Sequence, residues 1–554
     1  MVGIAAFVMF YLTLAYASGG AKTLSNFGTI EARTPLVKGL PFADVYVVRN
    51  DNAGNYFTIN GSDTTQVLET NTNPVTAIND AITHWVPING KLVTNGTMAD
   101  WDGTVQPTHG NFTWEAWKTV ATQTASLAPS SVLFGVNIYY DFITINNFTY
   151  IGENSSSIYE FGIRTIGANY LTVENSTITK CSYEAFQSAA ILVGGGTGHS
   201  IRYNNVSFNF DIWAIVMNVV TNSVASHNYV DCDGNGAGIG SFGSDSVLTG
   251  SNNCTFNTIL NWGENPDTYG ESMYWHAIYY SSEAYDYIYN NTMQATDFSS
   301  TGGAMLVKGA YFQVFNNTFA GGNIDCAISA YQQGANWWNS PNGTMIYNNT
   351  IANYPLGILL SGLVGNITIA NNTITNCPTG MLLASASTSI YPENITLIGN
   401  RISTGTYGIR MGYSSNAESY SNNIHVLNNA FTSITTAVQT YTNTINPTIE
   451  YNTFSSCPTP VTSGSTNPTF RFNVGLAGYY MLNVTVVGSG STSPSGLGWQ
   501  YKSGSTASVT WTPDTGHVRQ NISIDGTNQS TTASPLDVTM SANHVVIAYF
   551  VSAP

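Results

Sequence analysis

Apolar and polar residues alternate in short runs through the middle of the chain, and most runs carry asparagine at the same place. In order they are ITINNFTYI (143–151), LTVENSTI (171–178), IRYNNVSF (201–208), YDYIYNNTM (285–293), YFQVFNNTF (311–319), GTMIYNNTI (343–351), ITIANNTI (367–374), ITLIGNRI (395–402), IHVLNNAF (424–431) and TIEYNTF (448–454), with weaker copies at 223–230 and 252–259. Alternation at period two predicts β-strands rather than helix. Taking the last asparagine as marker gives Asn147, Asn175, Asn205, Asn228, Asn257, Asn291, Asn317, Asn349, Asn372, Asn400, Asn429 and Asn452, spaced by roughly 23 to 34 residues. A fixed repeat of that length indicates a solenoid, not an ordinary globular core.

A second strand-like run lies between successive markers: FGIRTI, AAILVG, WAIVMN, GAGIGSF, HAIYYS, GAMLVKG, CAISAY, LGILLSG, TGMLLAS, YGIRMGY and TAVQTY. Each coil therefore reads strand, turn, strand ending in Asn, turn. The repeat holds no helix long enough for a βαβ crossover. A parallel β-helix meets these conditions, because each coil hydrogen-bonds to the next and only the two ends stay open. Asparagine suits the turn because it tolerates left-handed backbone and its amide bonds neighbouring backbone. Stacked asparagines also form amide ladders. The expected fold class is all-β, a right-handed parallel β-helix of about twelve coils at about 4.8 Å each, a rod about 55 Å long.

With its "GI-x-L … I-x-NNTI" pattern repeated over about residues 140–460, the chain resembles the right-handed parallel β-helix family with the pectin-lyase-like fold. The resemblance implies an architecture, not one activity. That family includes polysaccharide lyases, glycoside hydrolases, esterases, epimerases, tailspikes and non-catalytic surface proteins.

The ends read differently. DVYVVRNDNAGNYFTING gives a hairpin-like pair of strands, after which Asn73 and Pro74 open a helix as N-cap and first helical residue. Val75, Ile78, Ile82 and Trp85 recur at helical spacing, Pro87 stops the helix, and GKLVTNGT starts the first strand. Such a helix would cap the open end of the solenoid. Residues 94–130 are irregular and hold Trp101, Trp114 and Trp117. The expected organisation is a signal peptide or N-terminal anchor at 1–20, a cap with the first strands at 40–140, the β-helix at 141–465 and a small β-rich domain at 474–554. That last segment is similar to the internalin B-repeat-like, or bacterial-repeat, domain of surface proteins. The match runs through Val484–Gly490, Pro494–Gly496, Tyr501–Ser505, Pro513–His517, Ile524–Gly526 and Met540–Phe550. The resemblance implies a spacer, adhesion or attachment role and leaves His517 and His544 structural.

Composition narrows the partners. Only 8% of the 554 residues are charged, the net charge is −16 and the pI is about 4.7. This balance excludes a basic nucleic-acid footprint. Residues 2–17 form an uncharged apolar stretch followed by Ala15-Tyr16-Ala17 as an A-x-A cleavage site, which reads as a signal peptide with an uncleaved anchor as the alternative. The protein is therefore expected outside the cell or on its surface. Roughly eighteen Asn-x-Ser/Thr sequons occur, many of them supplied by the NNT turn, among them Asn60, Asn95, Asn147, Asn175, Asn316, Asn348, Asn371 and Asn483. Of the six cysteines, Cys181, Cys232, Cys326, Cys377 and Cys457 follow a marker at similar distances, and Cys254 does not. Buried thiols inside the coil are the favoured reading over disulfides. Nothing in the sequence specifies an oligomeric state.

Two inserts stand out as candidate binding loops, NWGENPDTYGESMYW (261–275) and QQGANWWNSPNG (332–343). They supply Trp262, Tyr269, Tyr274, Trp275, Trp337 and Trp338, whose flat faces and polar edges suit sugar rings as well as they suit packing onto the rod. Glu264, Asp267, Glu271, Glu283, Asp286 and Asp325 fall at the same level. A glycosidase needs two carboxylates about 5 Å apart for retention, or roughly 6.5–9.5 Å apart for inversion. A lyase needs a base beside a substrate acid, often with Ca²⁺, and His276 and Lys308 on neighbouring coils are its candidates. Aligning Ala277, Ala304 and Ala327 puts Ser281, Lys308 and Tyr331 in one column, with His276 at the other end of its strand. Asp231, Asp233 and Asn235 match the first half of a calcium loop, although position twelve is Phe242 rather than Glu. G-x-S-x-G, H-E-x-x-H, a phosphate loop and the polygalacturonase signature are all missing, and Gly198-His199-Ser200 does not stand in for one. The chain reads as an exported β-helix that binds polysaccharide or a cell-surface glycan, with cleavage by lyase or hydrolase chemistry left open. The alternative is a non-catalytic surface or adhesin glycoprotein, with the rod as stalk.

Overall fold

The structure is a computed structural model, and it describes residues 40–41, 43–50, 54–98, 103–116, 119–122, 132–152, 159–181, 189–207, 212–234, 236–244, 249–263, 276–295, 303–321, 326–332, 340–385, 390–412, 420–530 and 534–554. Each coil of the rod is built from three strand runs rather than two. One coil reads Met305–Ala310, Gln313–Phe315, Thr318–Ala320, and the next reads Cys326–Tyr331, Met345–Tyr347, Thr350–Ala352. Equivalent strands pair in parallel from coil to coil, as in Met305↔Ile328, Val314↔Ile346 and Phe319↔Ile351. The long strands stack without a break from Val132–Ile138 to Thr459–Thr462.

The run expected to be one strand ending in Asn is two three-residue strands meeting at an Asn-Asn corner. The first asparagine turns the corner: Asn290, Asn316, Asn348, Asn371 and Asn428 have φ of 55, 55, 56, 55 and 54°. This left-handed conformation is one that asparagine tolerates better than most residues. The second asparagine points inward and is buried, as at Asn291, Asn317, Asn349, Asn372, Asn400 and Asn429. There it forms the expected amide ladder. Asn349 N–H and Nδ2 both donate to Asn372 Oδ1, at 2.9 and 3.0 Å, and Nδ2 donates again to Val314 O at 2.9 Å. Asn349 Oδ1 in turn accepts from Asn317 N–H and Nδ2, at 2.9 and 3.0 Å. Every polar group of each buried amide is thus satisfied within the rod. In the first coils the ladder position is Ser176 and then Asn204. Asn147 and Asn175, taken as markers, are the corner residues there, at φ 59 and 52°.

Beside the ladder the rod interior is apolar. One column runs Val173, Ile201, Ala225, Cys254, Ile288, Val314, Ile346, Ile369, Leu397, Val426, Ile449 and Phe470, all buried. Each of the larger members contributes roughly 1.5–3 kcal/mol by leaving water. No disulfide joins the six cysteines, and five of them are buried, as the favoured reading of them expects.

At the N-terminal end, strands Val45–Asn50 and Asn55–Asn60 form the antiparallel hairpin, and the first of them pairs in parallel with Gly90–Met98. Helix α1 (Pro74–His84) is the expected cap. Asn73 Oδ1 accepts from Thr76 N–H at 3.0 Å, and Val75, Ala77, Ile78, Ala81 and Ile82 are buried. Trp85 departs from the expectation: it is the C-cap residue and 43% exposed, so the apolar face ends at Ile82.

At the other end the small domain is joined to the rod by the ladder itself. Asn473 N–H and Nδ2 both donate to Gln500 Oε1 at 2.9 Å, and Gln500 Nε2 donates back to Asn473 O at 2.9 Å. Arg471 donates to Leu497 O at 3.0 Å and stacks over Trp499. The domain has its own core, including Leu482, Val484, Val509, Ile522, Val546 and Phe550. Gln500→Ala leaves the buried Asn473 N–H without its acceptor, Asn473 O without the Gln500 donor and Asn473 Nδ2 with Ile449 O alone, a cost of about 2 kcal/mol or more. Differential scanning calorimetry should show the C-terminal domain melting apart from the rod in that variant, and as one unit with the rod end in the parent.

Candidate functional site

Residues of the long strands alternate between the interior and the outer face, so their outward positions form columns along the rod. One column passes through Val216, Gly240, Tyr279, Leu306 and Ser329. Two positions further along each strand, Phe242, Ser281 and Lys308 are paired in succession, and Tyr331 follows in the next coil. The column of Ser281, Lys308 and Tyr331 is the one expected from the alanine alignment.

The side chains meet at Tyr279. Lys308 Nζ donates to the Tyr279 hydroxyl at 2.8 Å and lies 5.0 Å over the Tyr279 ring and 5.6 Å over the Tyr331 ring. Lys308 makes no ion pair among the described residues. Trp213, Phe242 and His276 surround the Tyr279 ring at centroid distances of 5.9, 5.3 and 5.4 Å. Tyr331 is 41% exposed, and Tyr279 and Lys308 are half-buried. The arrangement is a cation and a phenol held on an aromatic floor and open on one side.

His276 is buried rather than presented to solvent. Its Nδ1 lies 2.7 Å from Gly303 O, so Nδ1 carries the proton and donates. Burial pushes its pKa down to about 4, with Lys308 nearby acting in the same direction, so the ring is neutral. Its contact is with the Tyr279 ring, which makes it a support for that side chain.

Trp262 is a correction to the expected sugar platform. It is fully buried, entering the rod directly after the left-handed Asn261 as Cys377 does after Asn376, so it is a core residue. Asp231 and Asp233 form a local turn, in which Asp231 Oδ1 accepts from Asp233 N–H at 3.1 Å and from Asn261 Nδ2 at 3.2 Å. Among the described residues, no three His, Cys, Asp or Glu side chains converge as metal ligands. Asn235, Glu264, Asp267, Tyr269, Glu271, Tyr274, Trp275, Asp325, Trp337 and Trp338 lie outside the described residues. Glu283 and Asp286 are fully buried inside the rod and face no groove.

Sequence reasoning missed Trp213, Phe242 and Tyr279. Their signal is present in WAIVMN, GAGIGSF and HAIYYS, where an aromatic falls at an outward position of the long strand. Two further rows of outer aromatics are not free platforms. Tyr203, His227 and Phe256 stack at 4.7 and 4.8 Å, and Tyr289, Phe315 and Tyr347 at 4.8 Å throughout, so neighbouring coils cover their faces.

No curated protein sequence matches the chain. Among solved structures, a mannuronic acid specific polysaccharide family 6 lyase from human gut microbiota is 12% identical, covering 69% of this chain and 85% of that one at a TM-score of 0.43. The A-module of the Azotobacter vinelandii mannuronan C-5 epimerase AlgE6 is 12% identical, with coverages of 71% and 95% and a TM-score of 0.34. A Yersinia enterocolitica family 28 exopolygalacturonase is 13% identical, with coverages of 71% and 74% and a TM-score of 0.37. Residues 267–424 match the family model of the right handed beta helix region, and residues 480–554 that of the divergent InlB B-repeat domain. The chain is thus similar, over those segments, to a right-handed β-helix region followed by a divergent InlB B-repeat domain.

Proposed function

We propose that this protein binds an acidic polysaccharide across the outer face of its long sheet and cleaves it by β-elimination at Tyr279 and Lys308. The observation that carries this reading is the 2.8 Å contact between Lys308 Nζ and the Tyr279 hydroxyl, with Tyr331, Trp213 and Phe242 around it. Aromatic faces with polar edges suit pyranose rings, and an ammonium without an ion pair among the described residues suits a uronate carboxylate. In the proposed reaction Tyr279 enters as the phenolate, its own proton given up to solvent and its oxygen held by the Lys308 ammonium, and the sugar C5–H bond breaks as that proton passes to the Tyr279 oxygen. Lys308 stabilises the charge developing on the adjacent carboxylate. The C4–O bond then breaks as the C4=C5 bond forms, and the tyrosine returns its proton to the leaving oxygen. The apolar stretch at 2–17 supports a site of action outside the cytoplasm. The C-terminal domain, bonded to the rod through Gln500, serves as an end cap and, by its resemblance, as an attachment module.

The test is a panel of neutral and acidic polysaccharides, with and without Ca²⁺, following reducing ends and the ultraviolet absorbance of unsaturated product together. Both signals should rise on a polyuronate. Reducing ends without absorbance would mean hydrolysis, and attention would pass to Glu264, Asp267, Glu271 and Asp325. Retention on a glycan with neither signal would mean a non-catalytic surface rod.

A further inference from the structure

Behind the strand that carries Tyr279, a second polar column runs inside the rod, at the corner before the first short strand. His199 N–H donates to Ser223 Oγ at 3.1 Å, Ser223 N–H to Asn252 Oδ1 at 3.0 Å, and Asn252 N–H to Asp286 Oδ1 at 2.7 Å. Tyr287 N–H bonds to Asn252 O, Gln313 N–H to Asp286 O and Met345 N–H to Phe312 O, so Phe312 takes the next position and Asp286 ends the column. At this level the strand Ile278–Ala284 shifts register against Met305–Ala310 between Ser281 and Ala284. Ser282, at φ 60°, turns the chain there, and Glu283 is fully buried beside Asp286.

Hydrogen bonding around the pair leaves one gap. Asn252 Nδ2 donates to Glu283 Oε1 at 3.1 Å, and Asn252 N–H satisfies Asp286 Oδ1. Glu283 Oε2 and Asp286 Oδ2 have no donor among the described residues. Both fully buried carboxyl groups are thus held on the one Asn252, and each keeps one oxygen that no donor reaches. Two carboxyl groups buried together without a counter-charge cannot both be ionised, and a proton held by the pair gives a bare oxygen a hydrogen to donate.

We infer that a proton shared by Glu283 and Asp286 is a structural ligand of the rod, and that its release loosens the coil carrying Tyr279. The surroundings supply no competing charge among the described residues. The strand Gly236–Phe242 contributes Ser241, the neighbouring chain contributes Thr249, Asn252 and Cys254, the pair's own strand contributes Tyr280, and the following coil contributes Gly309 and Phe312. Burial raises the pKa values of Cys254 and Tyr280, so both stay neutral. Burial likewise pushes Glu283 up to about 8 and raises Asp286, whose ionisation Glu283 further opposes. Both folded-state values lie above the ordinary carboxylate range, so folding takes up protons. The resulting stability is complete below that range and is lost as pH climbs toward and past about 8.

Hydrogen–deuterium exchange on the full chain tests this, with rates corrected for intrinsic pH dependence and read over 249–257 and 278–284. Between about pH 6 and about pH 9, protection there should fall by up to tenfold per pH unit for one released proton. In Glu283→Gln the side-chain amide donates permanently to Asp286 Oδ2 while its oxygen still accepts from Asn252, so protection should stay flat. Asp286→Asn supplies the same donor from the other side and gives the same readout if the first variant does not fold. A flat profile in the parent protein, or equal slopes in parent and variant, overturns the inference. So does recovery of protection at high pH on adding Ca²⁺ or Na⁺, since a cation would then be the ligand.

Discussion

Asn349→Ala should destabilise the rod far more than Asn348→Ala, although the two residues are adjacent and chemically identical. Asn349 is buried in mid-ladder. Removing its side chain leaves the buried Asn317 N–H without its acceptor, takes one of two acceptors from Asn317 Nδ2 and one of two donors from Asn372 Oδ1, and removes the side-chain donor to Val314 O. At about 1–3 kcal/mol for the N–H left unsatisfied and about 1 kcal/mol for each further bond lost, the loss is about 3–6 kcal/mol. Asn348 is exposed, and its contribution is its left-handed φ of 56°. Alanine there costs about 1–2 kcal/mol, and Asn348→Gly almost nothing. Denaturant unfolding of the three variants measures the difference. Comparable losses for Asn348→Ala and Asn349→Ala would show that the corner conformation, not the amide ladder, holds the coils in register. Because each rung bonds only its neighbours, the damage should also be local, with exchange protection falling first in 311–320 and 343–352.

The same pair shows how much of the fold was legible in the sequence. A ladder demands the same side chain at the same point of every coil, and that demand is visible as the repeating Asn. What the repeat does not reveal is which of two adjacent asparagines enters the rod, since a left-handed turn and an inward amide both favour asparagine. Hence the marker fell on the corner residue at Asn147 and Asn175, where the inward position belongs to Phe148 and Ser176. Hence also two short strands around a corner looked like one. Trp262 misled for a related reason. Its neighbours read as a polar loop, and only the left-handed Asn261 before it marks the return of the chain to the interior. The acidic pair was legible as composition and not as place, because Glu283 is carried inward by a one-residue register shift that alternation alone would not anticipate. Lys308 stood out as a rare cation in a strand. Tyr279 did not, because an outward tyrosine looks the same whether its neighbours are aromatic or aliphatic. It becomes a site only when Trp213 and Phe242 are brought beside it from the preceding coils.

Lys308→Ala and Tyr279→Phe should both abolish measurable cleavage, but in different ways. In the proposed reaction Lys308 faces the substrate carboxylate both in the bound state and as charge builds. Its removal should weaken polyuronate binding and also lower turnover. Binding by the parent should itself fall with added salt, since the contact lies on an open face. Tyr279→Phe keeps the ring against Trp213, Phe242 and His276 and deletes only the oxygen that Lys308 holds. Binding should therefore persist while turnover drops by about 10²–10⁴-fold, the usual worth of a positioned proton-transfer group. His276→Ala separates support from chemistry. The imidazole reaches Gly303 and the Tyr279 ring, so its loss should lower turnover by loosening Tyr279 without shifting the pH profile. A profile that moved with His276 would make that histidine the proton acceptor instead. Full turnover in Tyr279→Phe together with unchanged binding in Lys308→Ala would remove the outer face of the long sheet as the site. Chemistry would then have to come from the residues at 264–275, 325 and 337–338, where the remaining acids and tryptophans of the two inserts lie.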